Sequence, residues 1–591
     1  MNDYVAPLRD MQFILKHLAG IEQVSHLPGC EEVNSELAEA ILGEASRFAT
    51  GELSPLNPVG DQQGCRLEGA TVVTPHGWRQ AYRSFCEGGW VGLGMPSAYG
   101  GQDLPKLVAA PVSEMFYAAN MAFNLLPPMA QGAAETLLLA ADEKLKSLYV
   151  PKLASGEWTA TMDMTEPGAG SDLSAIKTRA QPHPDGSYRI FGQKIFITYG
   201  DHELADNIVH LVLARLPDAP PGVRGISMFL VPKFVLRSNG TPGARNDMRC
   251  ISIEHKLGIR GSPTCTMSYG DNDGAVGYMV GKPNCGLEYM FVMVNDTRFN
   301  VGLQGIAQAE RAWQAAVGYA NERKQGKDAK TGDSNVPIVK HADVRRTLLG
   351  MRARIMAARI LAYTAAGWFD NAHRNPDAMI ARQCKERLDL LMPVLKGWSS
   401  ELGFEVASLG LQIYGGMGFV EETGVSQFMR DVRITSIYEG TTGIQAQDLI
   451  TRKTLRDNGE AFAILIREMR RVASQVSRTQ VADLGEHLDR TVDVLEESVY
   501  WVLAKGWDHI GEVLSASAPF LHLVGLACGS WQLTRAAAVA ASLRERQDAD
   551  NYYAAVIDVA RFYATNLAPH ARAHALAMVE GAQVVVEAQG F

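Results

Sequence analysis

The sequence lacks the patterns that mark metal-binding, disulfide-stabilised and nucleic-acid-binding proteins. Its eight cysteines lie at positions 30, 65, 86, 250, 265, 285, 384 and 528 without a Cys-x-x-Cys pair, so neither a zinc site nor a disulfide framework is indicated. No run of Lys and Arg is long enough to form a basic face, and the formal net charge is −9, which argues against general nucleic-acid binding. No Gly-x-Gly-x-x-Gly run leads from a strand into a helix, so a Rossmann dinucleotide site is not supported.

Signals for export and membrane insertion are also missing. Asp3 and Arg9 stand where a secretory signal would need an apolar core, so we expect a cytoplasmic protein. Residues 513–534 contain no Asp, Glu, Lys or Arg and are long enough to span a bilayer. Because Pro519 and two glycines interrupt them and an arginine follows, we expect a buried helix in a helical domain instead of a membrane span.

The hydrophobic pattern predicts a mainly α protein with an inserted β domain. At 591 residues, 47% hydrophobic and 20% charged, the chain is long enough for several globular domains. We predict an N-terminal helical domain over residues 1–157, a middle β domain over 158–285, a helical bundle over 286–457 and an extra helical domain over 458–591.

Local signals mark strands and loops within this plan. Residues 188–191, 208–213 and 226–231 are short, rich in aromatic and branched side chains, and bounded by turn residues, which predicts strands. Proline and glycine clusters near residues 53–60 and 95–104 predict loops.

Two separated runs carry the chemistry. Glu439, within residues 436–443, is a carboxylate between an aromatic ring and a flexible turn, after a long helical stretch. Residues 164–172 form a turn of small and hydroxylated side chains whose backbone N–H groups can hold a flavin and its phosphates. A base and a flavin cradle together imply proton removal next to a carbonyl, with hydride departing to the flavin ring.

These runs stand among six motifs whose order resembles the acyl-CoA dehydrogenase family, flavoenzymes that oxidise acyl-CoA thioesters to 2-enoyl-CoA. The motifs lie at residues 89–101, 165–172, 192–198, 254–260, 412–418 and 436–443, and the likeness extends roughly from residue 40 to 455. The opening residues and the long helical tail resemble one bacterial branch, which includes broad-range acyl-CoA enzymes and 3-methylmercaptopropionyl-CoA dehydrogenases.

The resemblance implies a role for each matching residue. Glu439 would take the α-proton, the Glu439 backbone N–H and a flavin ribityl hydroxyl would hold the thioester oxygen, and the β-hydride would pass to flavin N5. Some relatives carry the base at the position of Thr297, where this chain has no carboxylate. The implied substrate contacts are Ser171, Asn295, Arg298 and Gly440. The implied FAD contacts are Met162, Met164, Thr165, Gly170, Ser171, Phe196, Ile197, Thr198, Arg323, Gln412, Gly415, Gly416 and Thr441.

The resemblance also implies partners. In the family, residues matching Arg323 and Gln412 reach a flavin bound mainly by the neighbouring subunit, which requires at least a dimer. We favour a homodimer, on the hypothesis, drawn from the length of the tail alone, that the extra C-terminal domain covers the surface by which shorter relatives pair into tetramers. An electron-transfer flavoprotein would accept the electrons.

Two other functions stay open at this stage. An acyl-CoA oxidase shares the base and the flavin but passes electrons to dioxygen. A flavin-bearing nucleic-acid-binding protein with an idle acyl-CoA site is opposed by the acidic balance and by Glu439 itself. His570 and His574 stand four apart, a spacing that can chelate a metal on one helix face, but we expect no metal because no acidic residue follows the first histidine as in HExxH. Substrate chain length is not readable from the sequence.

Overall fold

The computed structural model describes residues 4–546 and 551–590, which form two compact units. The first unit comprises the described residues up to Ser46, then Lys106–Ala118 and the chain from Phe299 onward. The second comprises Arg47–Pro105 and Ala119–Arg298. The predicted fold class is confirmed, since strands concentrate between helical regions at either end of the chain.

Helices dominate the chain before the large sheet, as predicted. They are α1 (Leu8–His17), α2 (Ile21–Val24), α3 (Ser35–Phe48), α4 (Leu56–Gln63), α5 (Trp78–Glu87), α6 (Lys106–Ala119), α7 (Pro127–Ala140) and α8 (Glu143–Ala154). An antiparallel hairpin of β1 (Arg66–Glu68) and β2 (Thr71–Val73) interrupts them. The hydrophobic pattern does not predict this hairpin, because three-residue strands offer too few alternating positions.

The loop prediction for residues 53–60 is wrong, and that for residues 95–104 is largely confirmed. Helix α4 begins at Leu56, directly after Pro55, and a π-helical stretch, Ala49–Leu53, precedes it. Prolines near a helix start need no N–H donor there, so the cluster marks the beginning of a helix. Residues 95–104 are irregular apart from a single 3-10 turn at Ser97–Tyr99.

An eight-stranded sheet forms the middle of the second unit. The strands of this region, all of which except β8 and β9 belong to the sheet, are β3 (Trp158–Asp163), β4 (Arg179–Pro182), β5 (Tyr188–Thr198), β6 (Asn207–Arg215), β7 (Ile226–Pro232), β8 (Phe234–Leu236), β9 (Pro242–Arg245), β10 (Met248–Ile253), β11 (Thr264–Tyr269) and β12 (Ala275–Val280). The sheet order is β10-β11-β5-β12-β7-β6-β3, with β4 pairing with β5 and β6, while β8 and β9 form a separate ribbon. All three predicted strands lie within β5, β6 and β7 and are confirmed.

A buried aromatic contact joins the start of α5 to two irregular segments of the second unit. The Trp78 indole donates to the Tyr199 hydroxyl at 3.2 Å, and that hydroxyl donates to the Ala122 carbonyl at 2.9 Å. Glycines at 60 and 261 leave room for the indole, since a Cβ would meet the ring at 2.4 Å from Gly60 and at 2.8 Å from Gly261. Close packing therefore fixes the start of α5.

The remaining helices form most of the first unit. They are α9 (Gly286–Glu322, from Phe299 onward in this unit), α10 (Ala342–Arg374), α11 (Ala378–Tyr414), α12 (Ser426–Val432), α13 (Thr442–Gln447), α14 (Glu460–Val476), α15 (Ala482–Lys505), α16 (Ile510–Ser515), α17 (Ser517–Arg546), α18 (Asn551–Phe562) and α19 (His570–Glu587). Most of the uncharged residues 513–534 lie in α17, which is largely buried, as predicted. Across the described residues, no helix combines the length and apolar character needed to cross a membrane.

A buried ionic cluster joins four helices of the first unit. The Arg359 guanidinium on α10 has no exposed surface and donates to Glu114 on α6 at 2.6 and 2.9 Å and to Glu310 on α9 at 2.8 Å. Arg352 bonds Asp10 on α1. Burial favours a higher pKa for Asp10, but Arg352 and Arg359 outweigh burial and hold its pKa below the ordinary value. The sequence pattern does not reveal this cluster.

Arg359→Met is expected to destabilise the protein strongly, because Glu114 and Glu310 would stay buried without their shared counterion. The expected loss of unfolding free energy is about 3–5 kcal/mol, measured by urea denaturation followed by circular dichroism. Arg382→Met, which removes an exposed pair with Glu386, is the matched control and should change stability little. Equal stability of the two variants would contradict a stabilising role for the cluster.

Candidate active site

The predicted site residues fall into two sets, one in each compact unit. The second unit holds Met162, Met164, Thr165, Gly170, Ser171, Phe196, Ile197, Thr198, Asn295 and Arg298. The first unit holds Arg323, Gln412, Gly415, Gly416, Glu439, Gly440 and Thr441. Each set is organised by contacts within its own unit.

A buried carboxylate within the turn that follows β3, that of Glu166, anchors this turn. Its oxygens accept hydrogen bonds from the Lys177 backbone N–H at 2.6 Å, from the Thr178 N–H at 3.0 Å and hydroxyl at 2.6 Å, and from the Lys194 ammonium at 2.9 Å. Burial acts to raise the pKa of Glu166, but Lys194 and the other donors lower it overall. The carboxylate thus stays charged and fixes the turn.

Because Glu166 holds the turn in place, the turn exposes Gly170 and Ser171 to solvent. Two backbone hydrogen bonds of 3.0 Å between Glu166 and Ala169 close it. Gly170 and Ser171 are exposed, and a Cβ added at Gly170 would meet nothing within 4 Å. The Thr165 carbonyl accepts from the Ile195 N–H at 2.9 Å, so the turn runs beside β5.

Strand β5 carries a bulge that exposes a phenylalanine beside this turn. Cys265 pairs with Ile197 but Met267 pairs with Lys194, so Ile195 and Phe196 together oppose one residue of β11. Phe196 has φ +60°, a left-handed conformation that is rare for an aromatic residue, and 58% of it is exposed. A bulge of this kind redirects a side chain, and here it leaves an apolar ring open to a ligand.

A buried polar network supports the end of β3, between Met162 and Met164. The Thr161 hydroxyl lies 2.8 Å from His210 Nδ1, an Asp163 carboxylate oxygen lies 3.3 Å from the same nitrogen, and the Tyr269 hydroxyl donates to Asp163. All of these residues are buried. The network joins β3, β6 and β11, and sequence reasoning missed it because its members are far apart along the chain.

The part of α9 that lies in the second unit carries two of the predicted substrate residues, Asn295 and Arg298. Asn295 is exposed and Arg298 is partly buried. Thr297 is buried, and its hydroxyl donates to the Met293 carbonyl at 2.8 Å within the helix. Thr297 is therefore a structural residue, and it carries no carboxylate.

Glu439 lies in a loop with an unusual backbone. Its φ is +56° and that of the following Gly440 is +86°, so two consecutive residues are left-handed. Glu439 is partly buried, and the hydroxyl of the preceding Tyr438 donates to Gln304 on α9. The Thr441 hydroxyl accepts from the Ile444 N–H at 3.2 Å and caps α13, a role that sequence reasoning did not foresee.

Two buried side chains hold the carbonyl groups of this loop. Lys396 on α11 donates to the Gly440 carbonyl at 2.5 Å. Gln445 on α13 donates to the Glu439 and Gly440 carbonyls at 3.3 and 3.4 Å. Neither residue is among the predicted site residues, because a lone lysine and a lone glutamine give no sequence signal until the fold brings them to the loop.

The remaining predicted residues of the first unit gather where α9 and α11 end. The rings of Tyr319 and Tyr414 stack with centroids 4.1 Å apart and join the two helix ends. Arg323, Gln412 and Gly415 are all exposed there, and so is Gly416. The structure therefore brings these predicted residues to one solvent-facing region of the first unit.

Of the two histidines spaced four apart, His574 packs against a different histidine, His522 of α17. The His574 ring stacks on His522 with centroids 5.3 Å apart, and burial lowers the pKa of His574 to about 4. Among the described residues, no group of three or more His, Cys, Asp or Glu is arranged to hold a metal ion.

Four family profiles match the chain in consecutive segments. The N-terminal, middle and C-terminal domains of acyl-CoA dehydrogenase match residues 35–157, 161–271 and 284–454. A profile described as acetyl-CoA dehydrogenase C-terminal like matches residues 465–589. The matched segments together cover most of the sequence, including the C-terminal helices.

Individual relatives extend over almost the full length. A 3-methylmercaptopropionyl-CoA dehydrogenase of Ruegeria pomeroyi is 45% identical over 560 residues, which cover 93% of each chain. The broad-specificity linear acyl-CoA dehydrogenase FadE5 of Mycobacterium tuberculosis is 33% identical, with 96% of each chain covered. The structure of a Bacillus anthracis acyl-CoA dehydrogenase in complex with FAD matches with a TM-score of 0.75 at 21% identity, covering 98% of this chain and 92% of that one, which shows a shared fold.

Glu166→Gln is expected to destabilise the turn, because Lys194 would stay buried with its charge uncompensated. The expected loss of unfolding free energy at neutral pH is about 3 kcal/mol. Since the folded pKa of Glu166 is lowered, its contribution is present above the unfolded pKa of about 4.3 and is lost as the pH falls through the folded value. Urea unfolding of wild type and variant between roughly pH 3 and pH 8 should show that the difference between their free energies of unfolding becomes smaller in acid.

Asp172→Asn is the matched control for Glu166→Gln. Asp172 lies in the same turn but is exposed and only caps a short 3-10 turn through Ser174. Its variant should have a smaller effect on stability. A Glu166→Gln protein no less stable than the Asp172→Asn protein would contradict the anchoring role.

Proposed function

The chain belongs to the acyl-CoA dehydrogenase family of FAD-dependent oxidoreductases, and we propose that it converts an acyl-CoA thioester to the trans-2-enoyl-CoA with Glu439 as the base. The observation that carries this proposal is the state of Glu439. It is a partly buried carboxylate on a left-handed loop held by internal hydrogen bonds, within the segment that matches the family's C-terminal domain.

The chemistry follows from the acidity of a carbon next to a thioester. The Glu439 carboxylate takes the proton from the α-carbon, and the electrons of that C–H bond form the new Cα=Cβ bond as hydride leaves the β-carbon. FAD, when bound, supplies the acceptor for that hydride. The Glu439 backbone N–H would donate to the thioester oxygen, where negative charge develops.

The second unit offers residues suited to the flavin. The exposed ring of Phe196 would lie against the isoalloxazine, while Thr165 and Ser171 would hydrogen-bond its polar atoms and phosphates. Met162, Met164, Gly170, Ile197 and Thr198 belong to the same proposed cradle. Ser171, Asn295, Arg298 and Gly440 would contact the acyl-CoA.

A homodimer is part of this proposal. Arg323, Gln412, Gly415 and Gly416 are exposed together at one region of the first unit, where a flavin bound mainly by a second copy of the chain can reach them. Thr441, at the start of α13, would contribute to the protein's own flavin. Electrons would then leave to an electron-transfer flavoprotein.

The proposed substrate class is a short acyl-CoA, with 3-methylmercaptopropionyl-CoA as the leading candidate. The relative named for this substrate is 45% identical over 93% of both chains, whereas the broad-specificity linear acyl-CoA dehydrogenase FadE5 is 33% identical. This chain aligns with 93% of the first relative and 96% of the second, so length does not separate the two specificities.

Glu439→Gln is expected to lower kcat by about 10²–10⁴-fold while FAD stays bound, because the amide cannot accept the α-proton. Turnover per bound flavin is measured with an artificial acceptor, and flavin content by absorbance. Glu421→Gln, which removes an exposed carboxylate paired with Arg430, is the control and should match wild type. Wild-type turnover by the Glu439→Gln enzyme would refute the proposed base.

Pentanoyl-CoA and 3-methylmercaptopropionyl-CoA differ only by a methylene in place of sulfur, so the pair isolates thioether recognition. We expect kcat/KM to favour the thioether substrate by about tenfold, within the range that one such group in an apolar pocket supplies. The measurement is anaerobic flavin bleaching, followed by turnover with an electron-transfer flavoprotein. Equal rates would point to a general short-chain enzyme, and peroxide formation in air without another acceptor would favour the oxidase.

A further inference from the structure

The Glu439 loop is restrained by donors that are completely buried. Lys396 and Gln445 have no exposed surface, and together they occupy the carbonyl oxygens of Glu439 and Gly440. Two donors from different helices therefore converge on two consecutive peptide groups. Such convergence fixes a backbone orientation more firmly than one hydrogen bond does.

The backbone at this point needs such a restraint. A left-handed conformation at a residue with a side chain is less favourable than the right-handed or extended alternatives, so Glu439 would leave it unless neighbouring contacts outweigh the cost. Peptide groups are planar and trans, so fixing the Glu439 carbonyl also fixes the N–H of Gly440 on the opposite side. The direction in which the Glu439 side chain leaves the loop depends on the same torsion angles.

A lysine is an expensive donor to bury. A neutral side chain can donate to a carbonyl without the desolvation cost of an ammonium group, so packing alone does not explain Lys396. A charged donor makes a hydrogen bond roughly twice as strong as a neutral one. Lys396 places its donor against the Gly440 carbonyl, next to the proposed base, where it restrains the loop.

Helix α17 packs closely against the part of α11 that carries Lys396. Gly397, next to Lys396 on α11, lets Leu521 of α17 and Gln445 of α13 approach, since an added Cβ would lie 2.7 Å from Leu521 and 3.3 Å from Gln445. Gly525 of α17 lies against the Trp398 indole, which an added Cβ would meet at 2.4 Å. Helix α17 lies within residues 465–589, so the extra domain packs directly behind the lysine.

We propose that Lys396 and Gln445 are positioning residues for the reaction, which hold the Glu439 loop in its left-handed conformation, and that α17 keeps both donors in place. The inference rests on the proposed function, because positioning has a catalytic meaning only if Glu439 is the base. It also gives the C-terminal helices a role in the chemistry of the core domains.

Lys396→Met and Gln445→Met test the proposal, since methionine fills a similar volume and removes the donor. We expect kcat per bound FAD to fall by about 10–100-fold, as small misplacements of a reacting group do, with KM changed by less than about threefold. Lys385→Met, on the exposed side of the same helix, is the control for the lost charge and should keep wild-type kcat.

Two readouts separate positioning from simple destabilisation. The first is exchange of the α-protons of tert-butylacetyl-CoA in deuterium oxide, which reports on the base alone because this thioester has no β-hydrogen. We expect exchange to slow in parallel with kcat. The second is hydrogen–deuterium exchange of the peptide spanning residues 436–447 in the ligand-free protein, which should become faster in both variants and stay unchanged in Lys385→Met.

Gly525→Ala extends the test to α17 and is available if Lys396→Met fails to fold. Its methyl group would press on Trp398, so we expect faster exchange of the same peptide and a smaller fall in kcat than either methionine variant. Lower thermal stability of the methionine variants with wild-type kcat and α-proton exchange would overturn the inference and leave the proposed function intact. A fully active Glu439→Gln enzyme would instead overturn the proposed function, and the inference with it.

Discussion

The first unit is organised around a backbone conformation that a residue with a side chain rarely adopts. Glu439 and Gly440 are both left-handed, and their carbonyl groups point to donors from α11 and α13. Under the proposed function, Glu439 must lie in one orientation and be partly shielded from water, and a flexible turn satisfies neither requirement. The helices behind the loop, including α17, supply that constraint.

In the second unit a buried carboxylate, Glu166, fixes an irregular segment of the backbone. The turn after β3 has small, exposed residues that would be mobile by themselves, but Glu166 fixes it through Lys177, Thr178 and Lys194. In each unit a buried charged side chain holds an irregular segment by bonding backbone groups. Four hydrogen bonds offset the cost of burying Glu166, which is the condition under which buried charges are tolerated, and Lys396 donates to the Gly440 carbonyl.

Regular elements also depend on buried charge in the first unit. Arg359 of α10 bonds Glu114 of α6 and Glu310 of α9, and it also bonds Asp10 of α1. Directional ion pairs restrict the register of these helices.

The sequence alone determined the fold class, the strands β5, β6 and β7, the buried character of α17 and the identity of the family. These depend on side-chain periodicity and on ordered motifs, both of which are local properties of the chain. The loop prediction for residues 53–60 is wrong because proline favours both loops and helix starts. Only the tertiary structure decided that Lys396, Gln445 and Asp163 lie beside predicted site residues, that Thr441 caps a helix, and that Phe196 stands on a bulge. Those facts depend on contacts between residues far apart in the chain, and no single segment encodes which buried donor it will meet.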